Sequence, residues 1–428
     1  MSDIRRVAII GGNRIPFVRG HTAYRQASNM DMLTAAMKGL VQRFSLEGEH
    51  IGEVVAGAVI KHSRDFNLTR EAALNSGLSL ETPAYDIQQA CATGLEAAIL
   101  VANKIALGQI DSAIAGGTDT ASDAPIAVNE GYRQMLLELN RAKTLGQRLK
   151  NLLKFRPSFM APDIPANAEP RTGLSMGQHC ELMAKQWNIS REAQDQLTFD
   201  SHQNLIAAYD SGFFEDLISP FNGVDKDGIM RNTPLEKLAA LKPAFDRQSG
   251  SGTLTAANST SLTDGAATVL LASEEWANKR NLPVQAYLTL SEAASVDFYS
   301  QGEDSEGLLM APAYAVPRLL KRAGLSLQDF DFYEIHEAFA AQVLCTLEAW
   351  ESADFCKNKL GLEAPLGSID RSKLNVKGSS IAAGHPFAAT GARIIATLAK
   401  ILRENGGGRG LISICAAGGQ GVTAIVEA

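Results

Sequence analysis

The chain has 428 residues, 45% of them hydrophobic and 20% charged. That is enough for more than one core, because a single core rarely grows past about 250–300 residues. Forty Lys and Arg against 47 Asp and Glu give a net charge of −7, which disfavours a protein that binds nucleic acid over its whole surface. No apolar run approaches the roughly 18–20 residues of a membrane span. The first residues, Met1 to Arg6, lead straight into an apolar strand pattern rather than a secretion signal. The five cysteines, at 91, 180, 345, 356 and 415, fit neither a disulfide framework nor paired metal knuckles. Together these features predict a cytoplasmic enzyme with free thiols and no metal.

Short apolar runs alternate with helical spacing in the first part of the chain. Residues 7–10 predict a strand, 31–44 a helix, 54–55 and 58–60 strand pieces, 67–77 a helix and 84–88 a short strand. Residues 91–108 predict a helix with Leu95, Ile99, Ala102 and Ile105 apolar, and 112–115 a buried strand ending at Gly116-Gly117. Such alternation implies an α/β sheet with covering helices. From about 122 to 253 the character changes. Pro162, Pro165 and Pro170 mark a loop, and helical patterns surround it at 177–187, 191–210 and 235–241, with Ser190 a candidate N-cap. Strand pattern returns at 267–272. The last third repeats the opening plan, with strands at 284–290, 331–335, 410–415 and 422–426 and helices at 315–323, 338–350 and 391–404. Ala92-Thr93-Gly94 and Ala389-Thr390-Gly391 each open a helix that leads to a strand and a Gly-Gly pair. This echo suggests a duplication, with chance similarity of two αβ units as the alternative. The expected division is 1–121 with 254–278, an insert over 122–253, and 279–428.

Four local features bear chemistry. In Gln88-Gln89-Ala90-Cys91-Ala92-Thr93-Gly94, Cys91 stands where a strand turns into a helix, whose N-terminal amides favour a thiolate; a small buried core cysteine fits as well. In Ala383-Gly384-His385-Pro386-Phe387, His385 sits on a Gly/Pro turn as a candidate base, or as a structural turn residue. Cys415-Ala416-Ala417-Gly418-Gly419-Gln420-Gly421 offers free backbone N–H groups for an oxyanion, or an ordinary strand-end turn. His336-Glu337-Ala338-Phe339-Ala340 offers an imidazole that could polarise a carbonyl. It is no HExxH zinc motif, and Glu337 fits a first-turn acid beside a helix dipole. Junctions of this kind gather at the carboxyl ends of strands in α/β folds. Cys180, Cys345, Cys356 and the histidines at 21, 50, 62, 179 and 202 read as ordinary.

These motifs resemble those of the thiolase family across nearly the whole chain and in order. They are ACATG around Cys91, AGGTD at 115–119, MG at 176–177, KPAFD at 242–246, NST with DGAA from 258 to 267, HEAFA at 336–340, GHPFAATGAR at 384–393 and CAAGGQG at 415–421. The resemblance implies an α/β thiolase fold, two similar αβαβα halves in a five-layered sandwich with a loop domain that holds coenzyme A. It implies Cys91 as acyl-accepting nucleophile, His385 as its base and Cys415 as the acid/base at the α-carbon of acetyl-CoA. His336 with His385 would form one oxyanion hole, and the N–H groups of Cys91 and Ala417 the other. Thr260, Arg231, Met176, Asn258 and Phe339 would meet CoA or substrate. Many thiolases carry Asn in place of His336, and Gly in place of Ala416 or Ala417 and of Ala388. HEAFA with CAAGG is more similar to the thiolase subunits of fatty-acid β-oxidation multienzyme complexes. The resemblance therefore implies 3-ketoacyl-CoA cleavage, CoA as substrate with no cofactor, at least a dimer, and a partner subunit with hydratase and dehydrogenase activities. Ketoacyl synthases lack a second cysteine like Cys415. A non-catalytic acyl-CoA or lipid carrier is the alternative from another class, and a Cys–His protease has no use for a Gly-rich CoA loop.

The insert carries its own pattern. Arg133, Arg141, Lys143, Arg148, Lys150, Lys154 and Arg156 alternate with leucines and Phe155 over 133–156. Such a stretch could meet an anionic membrane or an acidic partner, line a route for CoA phosphates, or pack as a solvated helix on its own domain.

Overall fold

The computed structural model describes residues 4–300, 302 and 305–428. β1 (Val7–Arg14) opens on the apolar run Val7–Ile10, ends on the polar Asn13 and Arg14, and is buried along its whole length, covered on both faces. It is followed by the short β2 (Val18–Arg19), α1 (Asn29–Arg43), β3 (Glu53–Ala56), α2 (Leu68–Asn75), β4 (Ala84–Asp86), α3 (Thr93–Ala106) and β5 (Ser112–Asp119). The insert contributes α4 (Glu130–Arg141), α5 (Leu145–Leu152), α6 (Met176–Gln186), α7 (Arg191–Asp210) and α8 (Leu235–Ala239). β6 (Thr263–Ser273) then returns to the first sheet, and α9 (Glu274–Lys279) leads to β7 (Ala286–Ser295). The remainder runs α10 (Ala311–Ala323), β8 (Phe332–Ile335), α11 (Ala340–Glu351), α12 (Ala353–Asn358), α13 (Ser380–Ala383), α14 (Thr390–Glu404), β9 (Arg409–Ala416) and β10 (Gln420–Glu427).

The strand order is β4-β3-β5-β6-β1 and then β7-β10-β9-β8. In each half the first strand lies at the seam, the last strand pairs antiparallel in second place, and parallel strands lie beyond. The halves meet through two residue pairs, Ala8 with Tyr287 and Ile9 with Ala286. α3 and α14 lie between the two sheets, in one core with Val269 and Leu271 from one side and Ile412, Ile414 and Val422 from the other. α1 and α2 cover the outer face of the first sheet, and α10 and α11 that of the second. The result is the five-layered α/β arrangement expected.

The two echoed tripeptides touch. A Cβ on Gly391 would lie 2.0 Å from Leu95 N, and one on Gly94 would lie 2.6 Å from Ala388 O. Only residues without a side chain let the two helix starts come this close.

Strand boundaries differ from the sequence reading: β1 runs on to Arg14, β6 starts at Thr263 and β7 ends at Ser295, and two further differences follow from specific contacts. Residues 58–60 form no strand, because the Val59 and Ile60 N–H groups donate to the Asp119 carboxylate at 2.9 and 2.7 Å. β5 runs through Gly116-Gly117 to Asp119, paired with β6 throughout. Gly117 serves there as a close-contact residue, since a Cβ would stand 2.2 Å from Ala388 O. Helix starts shift too. The one expected from residue 91 begins at Thr93, and the one expected from 338 begins at Ala340.

Within the insert, α4 and α5 pack on each other with little buried surface. α6 and α7 pack instead against α11 and α13. Arg14 at the end of β1 holds the insert through a buried bidentate pair, Nη1 and Nη2 donating to Asp227 at 2.6 Å each. No described helix is long and apolar enough to cross a membrane.

Candidate active site

Cys91 lies on the turn between β4 and α3, two residues before the helix. Ala90 takes φ +46°, a strained value for a residue with a side chain. Thr93 steadies the turn, its hydroxyl accepting from Gln89 N at 2.8 Å and donating to Ala90 O at 2.7 Å. His385 follows Gly384, whose φ is +107°, and its own N–H donates to Thr263 Oγ1 at 2.8 Å. The next loop is anchored where Ala388 N–H donates to Asp119 Oδ2 at 2.9 Å. His336 follows β8, its N–H donating to Ser413 O. Cys415 is near the end of β9, buried among Met310, Phe339 and Ala338.

The fold brings together three of these side chains from separate turns. Cys91 Sγ and one ring nitrogen each of His336 and His385 lie within 4.8 Å of one another, and the rings are 4.1 Å apart. Each imidazole uses Nδ1 elsewhere, His336 with Ser380 Oγ at 2.7 Å and His385 with Thr390 Oγ1 at 2.6 Å. Each Nε2 is buried without a protein partner.

Burial sets the protonation states. It pushes the Cys91 thiol up to about 12, and the N–H groups of Ala417 and of Cys91 itself, lying against the sulfur, only partly oppose this. The thiolate-favouring helix start expected from sequence is overridden, because Cys91 precedes the helix in a desolvated site. Cys415 is raised well above its ordinary value by burial and by Cys91. His385 is held down to about 3 by burial and then by the Arg393 charge. His336 is lowered by burial, His385 and Arg393. The resting site thus holds neutral thiols and neutral imidazoles.

Other residues expected to meet CoA or substrate divide. Arg231 lines a cavity of about 270 Å³ with His202, Lys237, Ser259, Ser261 and Ile381. Thr260 lies between two of these but donates its hydroxyl to Ser380 O at 2.8 Å. Asn258 is fully buried. Its Nδ2 donates to Asp195 Oδ1 and Thr253 O, and its Oδ1 accepts from Thr255 N, so it holds the loop rather than a ligand. Met176 and Phe339 pack in the cluster around Cys415. The sequence reading passed over His202, which lines the cavity, and gave no role to Ser380, Thr390, Arg393 or Asp119. Thr390 and Arg393 stood inside the GHPFAATGAR motif, but a side-chain partner cannot be read from a motif. Glu337 is no dipole residue. It lies ahead of α11 and accepts from Ser201 Oγ, Asn375 Nδ2 and Ile381 N at 2.8, 2.7 and 3.1 Å.

A pH dependence of stability follows. Burial raises Asp119 from 3.8 to about 7 and Glu334 from 4.5 to about 8. The folded protein therefore keeps protons that the unfolded chain has released, and stability falls as pH rises through this window. His385 and His202 act oppositely. Lowered from 6.5 to about 3 and about 4, they add stability as pH climbs to about 6.5, where the unfolded imidazoles lose their protons. Above that pH the carboxylates act, joined toward pH 8.5 by the buried Cys91 and Cys415 thiols, which stay protonated while unfolded thiols begin to ionise. The two pairs offset one another below about pH 6.5, so the melting temperature should hold roughly level up to there and decline toward pH 8.5, with a smaller decline in Glu334→Gln. A melting temperature still rising at pH 8.5 would contradict this assignment.

Known proteins carry the same framework. The thiolase N-terminal domain matches residues 7–275 and the thiolase C-terminal domain residues 290–428. The chain is 42% identical over 429 aligned residues to a 3-ketoacyl-CoA thiolase of Yersinia pestis (strain Pestoides F), covering 99% of this chain and 97% of that one. Among solved structures, an acetyl-CoA acetyltransferase from Bacillus anthracis superposes with a TM-score of 0.82 at 29% identity, covering 100% of both chains. Human mitochondrial 3-ketoacyl-CoA thiolase superposes with a TM-score of 0.80 at 29% identity, covering 99% of each. With both halves matched by thiolase domains and a relative of this identity aligned along nearly its whole length, the chain belongs to the thiolase family.

Proposed function

We propose that this thiolase, an acyltransferase, cleaves 3-ketoacyl-CoA with free CoA to acetyl-CoA and a shortened acyl-CoA, and runs the reverse Claisen condensation. The single observation that carries the reading is the Cys91 sulfur within 4.8 Å of a ring nitrogen of each of two buried imidazoles, whose Nε2 atoms have no partner among the described residues, and against the Ala417 amide. The neutral Cys91 thiol gives its proton to His385 Nε2 as sulfur attacks the 3-keto carbon, a role that needs the resting hydrogen of His385 on Nδ1, which faces Thr390 Oγ1 at 2.6 Å. No thiolate need exist beforehand, which suits a thiol raised this far. The oxyanion forms against His336 and the protonated His385. The C2–C3 bond breaks toward C2, the enolate oxygen is held by the Cys91 and Ala417 N–H groups, and Cys415, kept protonated by burial, delivers a proton to C2. The proton on His385 restores the Cys415 thiolate to a thiol. The freed His385 then takes the CoA thiol proton as the CoA sulfur attacks the acyl group, and returns it to the Cys91 sulfur as that sulfur leaves. In net count, one proton leaves the CoA thiol and one arrives on acetyl-CoA. Two easier steps replace one difficult one, and each oxyanion donor contributes about 2.7–4 kcal/mol.

The cavity with Arg231, Lys237 and His202 fits the phosphate-bearing end of CoA. The relative named a 3-ketoacyl-CoA thiolase supports a degradative role in β-oxidation. The five free cysteines support a cytoplasmic site, and the outer edge of β4, which pairs with no strand among the described residues, supports assembly into at least a homodimer. A hydratase/dehydrogenase subunit is a further proposed partner. The test is CoA-dependent cleavage of acetoacetyl-CoA and of a long-chain 3-ketoacyl-CoA side by side. Faster long-chain cleavage supports β-oxidation, acetoacetyl-CoA alone supports a short-chain acetyltransferase, and neither substrate being cleaved rejects the reading.

For the insert we propose contact with an anionic membrane surface. Leu145 and Leu153 are 77% and 86% exposed, and Leu149, Leu152 and Phe155 are exposed beside them. Lys150, Arg148 and Arg156 supply positive charge among these residues. Exposed leucines with neighbouring bases suit a helix lying in a headgroup layer. Co-sedimentation with phosphatidylglycerol vesicles should weaken about ten-fold in Leu149→Asp with Lys150→Glu. Unchanged binding removes the membrane proposal, and binding only to a partner protein would reassign the surface.

A further inference from the structure

We propose that Arg393, acting through Ser380, is a positioning residue that fixes His336 in the tautomer with hydrogen on Nε2, so that this nitrogen donates to the substrate oxyanion. The oxyanion role rests on the thiolase reading above; the tautomer does not. A neutral imidazole has one nitrogen that donates and one that accepts, and the partner of Nδ1 decides which is which. That partner is Ser380 Oγ, 2.7 Å away.

The serine hydroxyl is itself directed. Arg393 is a donor only. Its Nη2 donates to Ser380 Oγ at 2.8 Å, and Nη2 and Nη1 approach Ser379 Oγ at 3.3 and 3.4 Å. With an arginine hydrogen on its oxygen, Ser380 turns its own hydrogen to the one acceptor it meets among the described residues, His336 Nδ1. The opposite arrangement would put two donors on the hydroxyl and leave its hydrogen without an acceptor. His336 and Ser380 are fully buried and Arg393 is 3% exposed, so no bulk water relieves such a mismatch. The remaining nitrogen, His336 Nε2, is buried without a partner beside Cys91 and His385.

Arg393 is placed for this task by α14, which lies between the sheets, and its charge faces the buried Glu334 and Glu337 carboxyls. The same charge opposes a second proton on His336. His385 has a different partner, Thr390, and no arginine hydrogen-bonds that hydroxyl among the described residues. Of two imidazoles 4.1 Å apart, His336 is thus the one whose tautomer is imposed by an arginine-directed serine, while the accepting role of His385 comes from the thiolase reading.

The test is long-range 1H–15N correlation on the full-length protein labelled with 15N-histidine, with His336→Asn identifying the His336 signals. The expected result is hydrogen on Nε2 and an accepting Nδ1. In Ser380→Ala, both tautomers should appear, and kcat for 3-ketoacyl-CoA cleavage should fall about 10- to 100-fold with KM changed less than about two-fold. Ser380→Thr, which keeps the hydroxyl, should restore both readouts. Arg393→Met should loosen the tautomer in the same sense if it folds; the serine variants score the proposal if it does not. Hydrogen on His336 Nδ1 in the unaltered protein overturns the proposal whatever the activity. So does a Ser380→Ala protein that keeps a single tautomer and its rate. Loss of thiolysis in the unaltered protein with the expected tautomer would remove the thiolase chemistry while upholding the positioning.

Discussion

Cys91→Ala is expected to lower thiolytic turnover by about 10⁴-fold or more, because an enzyme that works through a covalent intermediate has no second route of comparable rate. The turn that carries Cys91 does not depend on its sulfur. It is held by the Thr93 hydroxyl and by the backbone of Gln89 and Ala90, so the alanine protein should fold normally. Rate loss can then be assigned to chemistry rather than to structure. Initial rates with 3-ketoacyl-CoA and CoA give the magnitude. Intact-mass spectra after mixing with 3-ketoacyl-CoA alone give the mechanism: the unaltered protein gains an acyl mass and the variant gains none. A variant within about ten-fold of the normal rate would sink the acyl-enzyme scheme.

Glu337→Ala is expected to cost about 3–5 kcal/mol of stability, since it removes the shared acceptor of three buried donors and each orphaned donor costs about 1–3 kcal/mol. Ser201 lies on α7 in the insert, Asn375 ahead of α13, and Ile381 in α13. One carboxylate thus fastens three segments behind His336. Glu337→Gln keeps the size but turns an amide hydrogen toward at least one of the donors, and should cost roughly half as much. Urea unfolding reads both effects as a lower midpoint at constant slope. A Glu337→Ala midpoint equal to that of the unaltered protein would show that the network is not a fastening at all.

The sequence alone determined the pattern of the fold and the identity of the chemical groups. Alternating strand and helix periods placed most elements within a few residues, because those periods are local properties of the chain. The ordered motifs singled out Cys91, His385, Cys415 and His336, and the echo of Ala92-Thr93-Gly94 in Ala389-Thr390-Gly391 pointed to two halves whose strand order does repeat. Strand ends were less legible. Val59 and Ile60 have strand composition but donate to Asp119, and Gly116-Gly117 looks like a stop but is the stretch where β5 must pass close to Ala388. Both outcomes depend on residues far away in the chain.

Protonation and partnership were decided by tertiary structure. A helix start predicted a lowered thiol pKa, yet burial raises it, because desolvation by surrounding layers exceeds the effect of a helix that begins two residues later. Asn258 stood in a motif that suggested ligand contact, but its three hydrogen bonds are internal. Glu337 looked like a helix-dipole acid and proved to be an anchor. The chain from Arg393 through Ser380 to His336 joins residues 13 and 44 positions apart. Local sequence carries periodicity and residue type, whereas the direction of a buried hydrogen bond is set by which groups the layers press together.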